Sequence, residues 1–233
     1  MASARNIFIT ALVLAGTILF FGLSGADIWV QRHFYNVQTH QWIVDSNNGV
    51  LKFIFYDGIK RLLIGVGVLF LIVLFLWWKR PHRLKYRQGL IILLLSSIAV
   101  PLVVGSLKAA SNMPCPKNIE IFGGEYPHTC VWEKYGSLDC QKAKQKCWPA
   151  GHASGGFALM ALVFLFRTKK AKMAALALAL TIGWSMGTYK MLIGDHFLSH
   201  SAITMVLAWL IILLIARGVD WACKRNIKIA DVQ

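Results

Sequence analysis

Apolar residues run along this chain in long unbroken blocks, broken by short connections that gather nearly all of the charge. Six blocks stand out, roughly Ile7–Gly25, Leu62–Trp78, Gly89–Leu107, Gly155–Phe166, Met173–Tyr189 and Phe197–Ala216. Crossing a bilayer as a helix takes about 20 residues. The fourth block is short, and Trp148–Ser154 extends it into the headgroup layer. Membrane barrel strands would instead show alternating segments of about 10 residues. The pattern therefore predicts an all-α, polytopic membrane bundle of six transmembrane helices. The first block, preceded only by Arg5 and lacking a small-residue cleavage signature, reads as a retained helix.

Composition agrees. Of 233 residues, 57% are hydrophobic and 15% charged, and the mean hydropathy is +0.56. Soluble domains lie near 45–50% apolar and about 25% charged, so an ordinary soluble globule is excluded. No repeat or low-complexity tract divides the chain. Residues 1–233 read as one integral membrane domain, with exterior loops at about 26–61 and 108–152.

The net charge of +15 is distributed unevenly. One alternating set of connections, together with both termini, holds fourteen Lys and Arg against two acids. The other set holds eleven against eight. Basic residues collect on the cytoplasmic side of membrane proteins, which places both termini in the cytoplasm. The excess is a topology signal beside anionic lipid, not a nucleic-acid surface. Cysteine usage points the same way. Cys115, Cys130, Cys140 and Cys147 share the loop 108–152, and only Cys223 lies on the other side. Four cysteines in an oxidising compartment imply two disulfides and three pairings. The nested pairing, Cys115–Cys147 outside Cys130–Cys140, is the expected one, giving a disulfide-stapled periplasmic loop. Zinc binding is disfavoured because close C-x-x-C spacing is lacking.

The segment 26–61 mixes Trp29, Phe34, Tyr35, Trp42, Phe53, Phe55 and Tyr56 with polar residues, and Asn47, Asn48 and Gly49 supply a turn. It reads as an interfacial helix or lid, or equally as an aromatic belt anchoring the first two spans. Three other stretches converge on the same exterior surface: K-A-A-S-N-M-P-C-P from Lys108, C-W-P-A-G-H-A-S-G-G from Cys147, and Y-K-M-L-I-G-D-H-F-L-S-H from Tyr189. Together they have the makings of an anion site. Pro149 presets a helix start, Gly151, Gly155 and Gly156 permit close backbone approach, and free N–H groups at a helix N-terminus favour negative charge. Lys108 and Lys190 add two cations.

His152 and His196 can exchange protons near neutral pH, so one could attack phosphorus while the other protonates the leaving oxygen. His200 follows His196 by four residues and shares its helix face, where it could orient the ring. Taken singly, each residue has a plainer reading: a snorkelling lysine, a structural histidine, or, for His152, His196 and His200 together, metal ligands.

At these stretches the chain resembles the type-2 phosphatidic acid phosphatase superfamily of membrane lipid phosphatases, whose pattern is K-x6-R-P, P-S-G-H and S-R-x5-H-x3-D. Lys108 and Pro116 match the first motif, with Cys115 in place of Arg. Pro149, Gly151 and His152 match the second, with Ala150 in place of Ser. In the third, His196 aligns with the nucleophile, Lys190 with the Arg and His200 with the Asp. The resemblance implies that His196 attacks phosphorus and His152 acts as general acid, without metal or cofactor. It implies that Lys108, Lys190 and the backbone at Ala150 and Gly151 hold phosphate oxygens. Lys117 is placed to compensate for the missing Arg, whose fork a Lys cannot copy. A Cys115–Cys147 strap would hold Lys108 near His152, which rationalises the cysteine.

The function so implied is hydrolysis of a phosphate monoester or diphosphate of an envelope lipid on the periplasmic face of a bacterial inner membrane. Lipid A, undecaprenyl diphosphate and phosphatidylglycerol phosphate are the plausible substrates, with a slight tilt toward lipid A. Two alternatives stay open: a lipid phosphotransferase using the same phosphohistidine, and a non-catalytic haem- or quinone-binding membrane protein. Transport is disfavoured, because the spans carry no charge near their middles. The expected partners are a phospholipid or lipid A-type substrate and the membrane, without nucleic acid. Protein partners are not legible.

Overall fold

A computed structural model describes residues 2–78, 84–133 and 143–230. Cys140 therefore lies outside the described residues, as do Lys79, Arg80 and Arg83 of the basic connection after the second span. The chain is mostly helical: α1 Ala4–Leu23, α2 Ala26–Arg32, α3 Gly49–Lys52, α4 Gly58–Trp77, α5 Leu84–Ala110, α6 Gly151–Ala158, α7 Lys169–Leu192 and α8 Leu198–Ala230.

Among the described residues four helices are long and apolar enough to cross a membrane: Ala4–Leu23, Gly49–Trp77, Tyr86–Ala110 and Leu198–Lys224. The other two expected spans differ in kind. The fourth is Gly151–Phe164, in which α6 gives way to a 3-10 turn at Leu159–Phe164. At helical rises it covers roughly 24 Å, short of a hydrocarbon core of about 30 Å. The fifth, α7, has the length, but Ala, Gly, Ser and Thr dilute its apolar content.

α6 is enclosed by its neighbours, whereas α7, like α5 and α8, buries only part of its surface and leaves Met173 and Leu178 exposed. α6 packs on α5, α7 and α8, and Ala153, Ser154 and Gly156–Val163 are buried. Where α6 crosses α7, a Cβ on Gly156 would stand 2.7 Å from Gly183 Cα, so the backbones touch only because both residues are glycine. By contrast α4 has no buried residue and carries exposed Leu69, Ile72 and Phe75.

The second span begins earlier than its apolar block. Asn48 Oδ1 accepts the Leu51 N–H (3.1 Å) and caps α3, which runs through a π-turn at Phe53–Asp57 into α4. The expected turn is present at Ser46–Asn47, closed by the Asn48 N–H on the Asp45 carbonyl (3.1 Å), and leads straight into this helix start. The rest of the loop 26–61 forms α2 and a minimal hairpin, β1 Tyr35–Asn36 against β2 Gln41–Trp42. Tyr35, Met113, Ile119, Phe122 and Phe197 bury one another beneath it, with Trp42 and Trp148 alongside. This aromatic cluster joins the two loops over the end of α8.

The strap is present: Cys115 and Cys147 form a disulfide, with Cα atoms 5.2 Å apart. Cys130 is a half-buried free thiol donating to the Gly22 carbonyl (3.4 Å). The inner pair of the expected nest involves Cys140, outside the described residues.

Candidate functional site

Four helix ends meet beneath the aromatic cluster: the C-termini of α5 and α7 and the N-termini of α6 and α8. They bring Lys108, Lys190, His152 and the His196–His200 pair together from stretches far apart in sequence. The His152 and His196 ring centroids are 5.8 Å apart. His196 Nδ1 and His200 Nδ1 are 3.2 Å apart, a hydrogen bond in which one ring donates, and both residues are buried. Among the described residues the opposite nitrogens, His196 Nε2 and His200 Nε2, and also His152 Nδ1, are buried without a partner.

The turn carrying His196 is built by Gly194 and Asp195. Gly194 has φ +73° and lies against the Trp42 indole, leaving no room for a side chain. Its carbonyl accepts the Lys117 N–H (3.0 Å), and the His196 N–H donates back to the Lys190 carbonyl (3.2 Å). From below, Asp27 of α2 caps α8: its Oδ1 accepts the Ser199 N–H at 2.9 Å.

Asp195 ties the lysines together. Its two carboxylate oxygens take Lys117 Nζ at 2.7 Å and Lys190 Nζ at 2.8 Å. Burial pushes this carboxyl up, but the two ammonium hydrogen bonds outweigh it and hold the group below its ordinary value. Lys190 Nζ also lies 5.0 Å from the Tyr56 ring centroid, and that ring meets His152 edge-on at 4.8 Å. Burial first, then the neighbouring histidines and lysines, drive the His196 ring well below its ordinary pKa, so it is a neutral imidazole.

Lys108 stretches along α6: a Cβ on Gly151 would touch its Cδ at 3.7 Å. Lys108, Gly151 and His152 line one end of a cavity of about 490 Å³, whose remaining wall includes Leu63, Phe70 and Leu159. An adjoining, nearly all-apolar groove of about 550 Å³ shares Leu63, Val66, Phe70 and Leu159 with it and continues between α4 and α7.

The Ala150 N–H is already engaged, donating to Thr204 Oγ1 at 2.9 Å. An anion at α6 would therefore meet the N–H groups that follow, starting at Gly151. Lys117 reaches the site only through Asp195, and its side chain is 46% exposed. Asp195, Tyr56, Trp42 and Asp27 were not singled out for the site by sequence. Tyr56 and Trp42 lie among the aromatics of the loop 26–61, where nothing marks one ring above another. Asp195 had a signal, an acid abutting the expected nucleophile.

The PAP2 superfamily model matches residues 89–223, a stretch holding all three motif regions and each of the four helix ends that meet at the site. The chain belongs to the PAP2 superfamily. A relative of this PAP2 chain is the lipid A 4'-phosphatase of Francisella tularensis subsp. novicida (strain U112), 28% identical over 197 residues, covering 78% of this chain and 81% of that protein. No solved structure matches. The family assignment agrees with the motif resemblance despite Cys115, Ala150 and His200 standing where the pattern has Arg, Ser and Asp.

Proposed function

We propose that this PAP2 protein is a lipid phosphatase that hydrolyses a phosphate monoester or diphosphate of an envelope lipid through a phosphohistidine. The observation carrying this reading is the approach of the two imidazoles, 5.8 Å apart between centroids, with His152 and Lys108 lining a cavity of largely apolar walls and His196 buried directly behind His152. In this reading the phosphate is taken up beside His152 and Lys108, and the acyl chains lie along the apolar wall. His196, its Nδ1 held by His200, attacks phosphorus through Nε2. The P–O bond to the lipid breaks as His152 gives its proton to the leaving oxygen. Water then attacks the phosphohistidine, with His152 taking its proton, and inorganic phosphate leaves. Lys108, Lys190 and the first N–H groups of α6 hold the equatorial oxygens, so that protein cations supply the charge a metal would otherwise provide.

Lipid A stands first among the substrates because of the Francisella relative, ahead of undecaprenyl diphosphate and phosphatidylglycerol phosphate. In this reading the chain crosses the inner membrane six times, with α6 and α7 as inner spans, both termini cytoplasmic and the site periplasmic. The deciding experiment measures phosphate released from lipid A, undecaprenyl diphosphate and phosphatidylglycerol phosphate, by wild type and by His196→Ala. Release from one lipid that His196→Ala abolishes and chelator spares supports the reading. Equal release by both proteins overturns it, and transfer to a lipid acceptor with no free phosphate makes the protein a transferase.

A further inference from the structure

Cys147, His196 and His200 converge more closely than the proposed reaction needs. Cys147 Sγ lies 3.7 Å from His196 Nδ1, which lies 3.2 Å from His200 Nδ1. The three ligand atoms fall within 4.8 Å of one another, and all three residues are buried. A tetrahedral ion with N at about 2.0–2.1 Å and S at about 2.3 Å separates two nitrogens by roughly 3.3 Å and a sulfur from a nitrogen by roughly 3.6 Å. Two of the three separations in the protein are already close to these values, and the third lies within 4.8 Å. One condition is unmet: Cys147 is bonded to Cys115, and a disulfide sulfur is not a thiolate ligand.

We infer that the Cys115–Cys147 disulfide masks a buried site for a thiophilic divalent ion, which reduction opens to the Cys147 thiolate, His196 and His200. In the opening step a dithiol gives two electrons and two protons to the S–S bond and becomes a disulfide itself, leaving Cys115 and Cys147 as thiols. On binding, the Cys147 thiol loses its proton to solvent, and one metal–sulfur and two metal–nitrogen bonds form. The proton shared between the two Nδ1 atoms moves to an Nε2 position. The acceptor ring already carries its proton on Nε2, so the receiving atom is the donor ring's own Nε2; neither Nε2 has a partner among the described residues. The fourth coordination position is left to water. Zinc and cobalt suit a donor set of one sulfur and two imidazoles.

Binding stands on this geometry alone. Its consequence rests on the proposed function: an ion on His196 Nδ1 withdraws electron density from the attacking ring and silences the phosphatase. The strap would then guard the nucleophile as well as position Lys108.

Cobalt is the probe, because a thiolate bound to tetrahedral cobalt gives a near-ultraviolet charge-transfer band and visible ligand-field bands. The full-length protein in detergent is titrated with Co2+ as oxidised wild type, wild type reduced by a dithiol that is then removed, Cys115→Ser and Cys147→Ser. Both variants lack the strap and keep Cys130, Cys140 and Cys223; they differ only in which thiol remains. Bands at one equivalent in reduced wild type and Cys115→Ser, but not in oxidised wild type or Cys147→Ser, support the site. Equal bands in the two variants, or none in reduced wild type, overturn it. Should both variants fail to fold, reduced against oxidised wild type decides. Reduced wild type should also lose most of its phosphate release to one equivalent of Zn2+, while oxidised protein keeps it. Bands without any activity in either redox state would fault the proposed function and leave the metal site standing.

Discussion

His200 Nδ1 is hydrogen-bonded to His196 Nδ1 at 3.2 Å, one helical turn along the start of α8. A neutral ring thus occupies the position where the family motif has a carboxylate. It can fix which way the His196 ring points but stabilises a cationic ring less. Replacing His196 by Ala should abolish turnover and any labelled phosphoenzyme. His200→Ala should lower kcat about 10–100-fold, as expected for a lost buried partner of roughly 1–3 kcal/mol, with little change in KM. Single-turnover phosphate release checks both.

His152 is expected to matter in proportion to how poor the leaving group is. His152→Ala should slow cleavage of a lipid phosphate by about 10²–10⁴-fold, the usual worth of a general acid. An aryl phosphate, whose oxygen leaves without a proton, should lose far less. Equal losses on the two substrates would remove His152 from the acid role.

Asp195 holds Lys117 and Lys190 where an incoming phosphate would compete for them. Asp195→Asn should therefore strengthen product inhibition by inorganic phosphate and lower KM, while kcat falls because the ammonium groups lose their fixed positions. Lys190→Ala should instead cost roughly 10–1000-fold in kcat/KM. Phosphate inhibition constants for the two variants should move in opposite directions.

Asp27 gives the protein a pH-dependent stability. Burial raises its carboxyl from 3.8 to about 6, against the opposing hydrogen bonds from Ser199. Below about pH 4 the group is protonated folded or unfolded and has no pH-dependent effect. Above about pH 6 it is ionised in both states, and the folded state bears the whole burial penalty, on the order of 3 kcal/mol. Asp27→Asn keeps an acceptor for the Ser199 N–H and carries no charge. The variant should gain thermal stability relative to wild type as pH rises from 4 to 7, read as the difference in Tm.

Gly194→Ala tests the turn beneath the nucleophile. With φ at +73° and Trp42 filling the space, a methyl group must displace the indole or the loop. A loss of about 1–3 kcal/mol is expected, with kcat reduced further because His196 shifts. Thermal unfolding beside kinetics separates the two effects.

The long apolar helices were legible because hydrocarbon demands continuous apolar residues: α1 and α5 match their blocks to within a few residues, and α8 starts with its block but runs on to Ala230. α4 begins earlier than its block because Asn48 caps a helix whose first turns carry aromatic and polar residues suited to the interface. α6 and α7 were harder to size. A helix enclosed by other helices is read by neighbours, and Gly156 against Gly183 says nothing until both positions are known. The histidines and lysines were legible because the motifs fix them within short stretches. Asp195 was not, since its meaning lies in Lys117, far away in sequence, and Asp27 gains its role only by meeting Ser199. One half of the strap's logic was also visible: cysteine in place of the motif Arg, beside a second cysteine just before Pro149.

The short, enclosed α6 has a consequence for biogenesis. Too brief to hold its place in a bilayer alone, it depends on α5, α7 and α8, and α8 is the last of them to leave the ribosome. His152 is then seated only when the final helix arrives, the same one that brings His200. On the proposed function, an incomplete chain halted in the membrane would be harmless to surrounding lipids, because the two halves of that chemistry have not yet met.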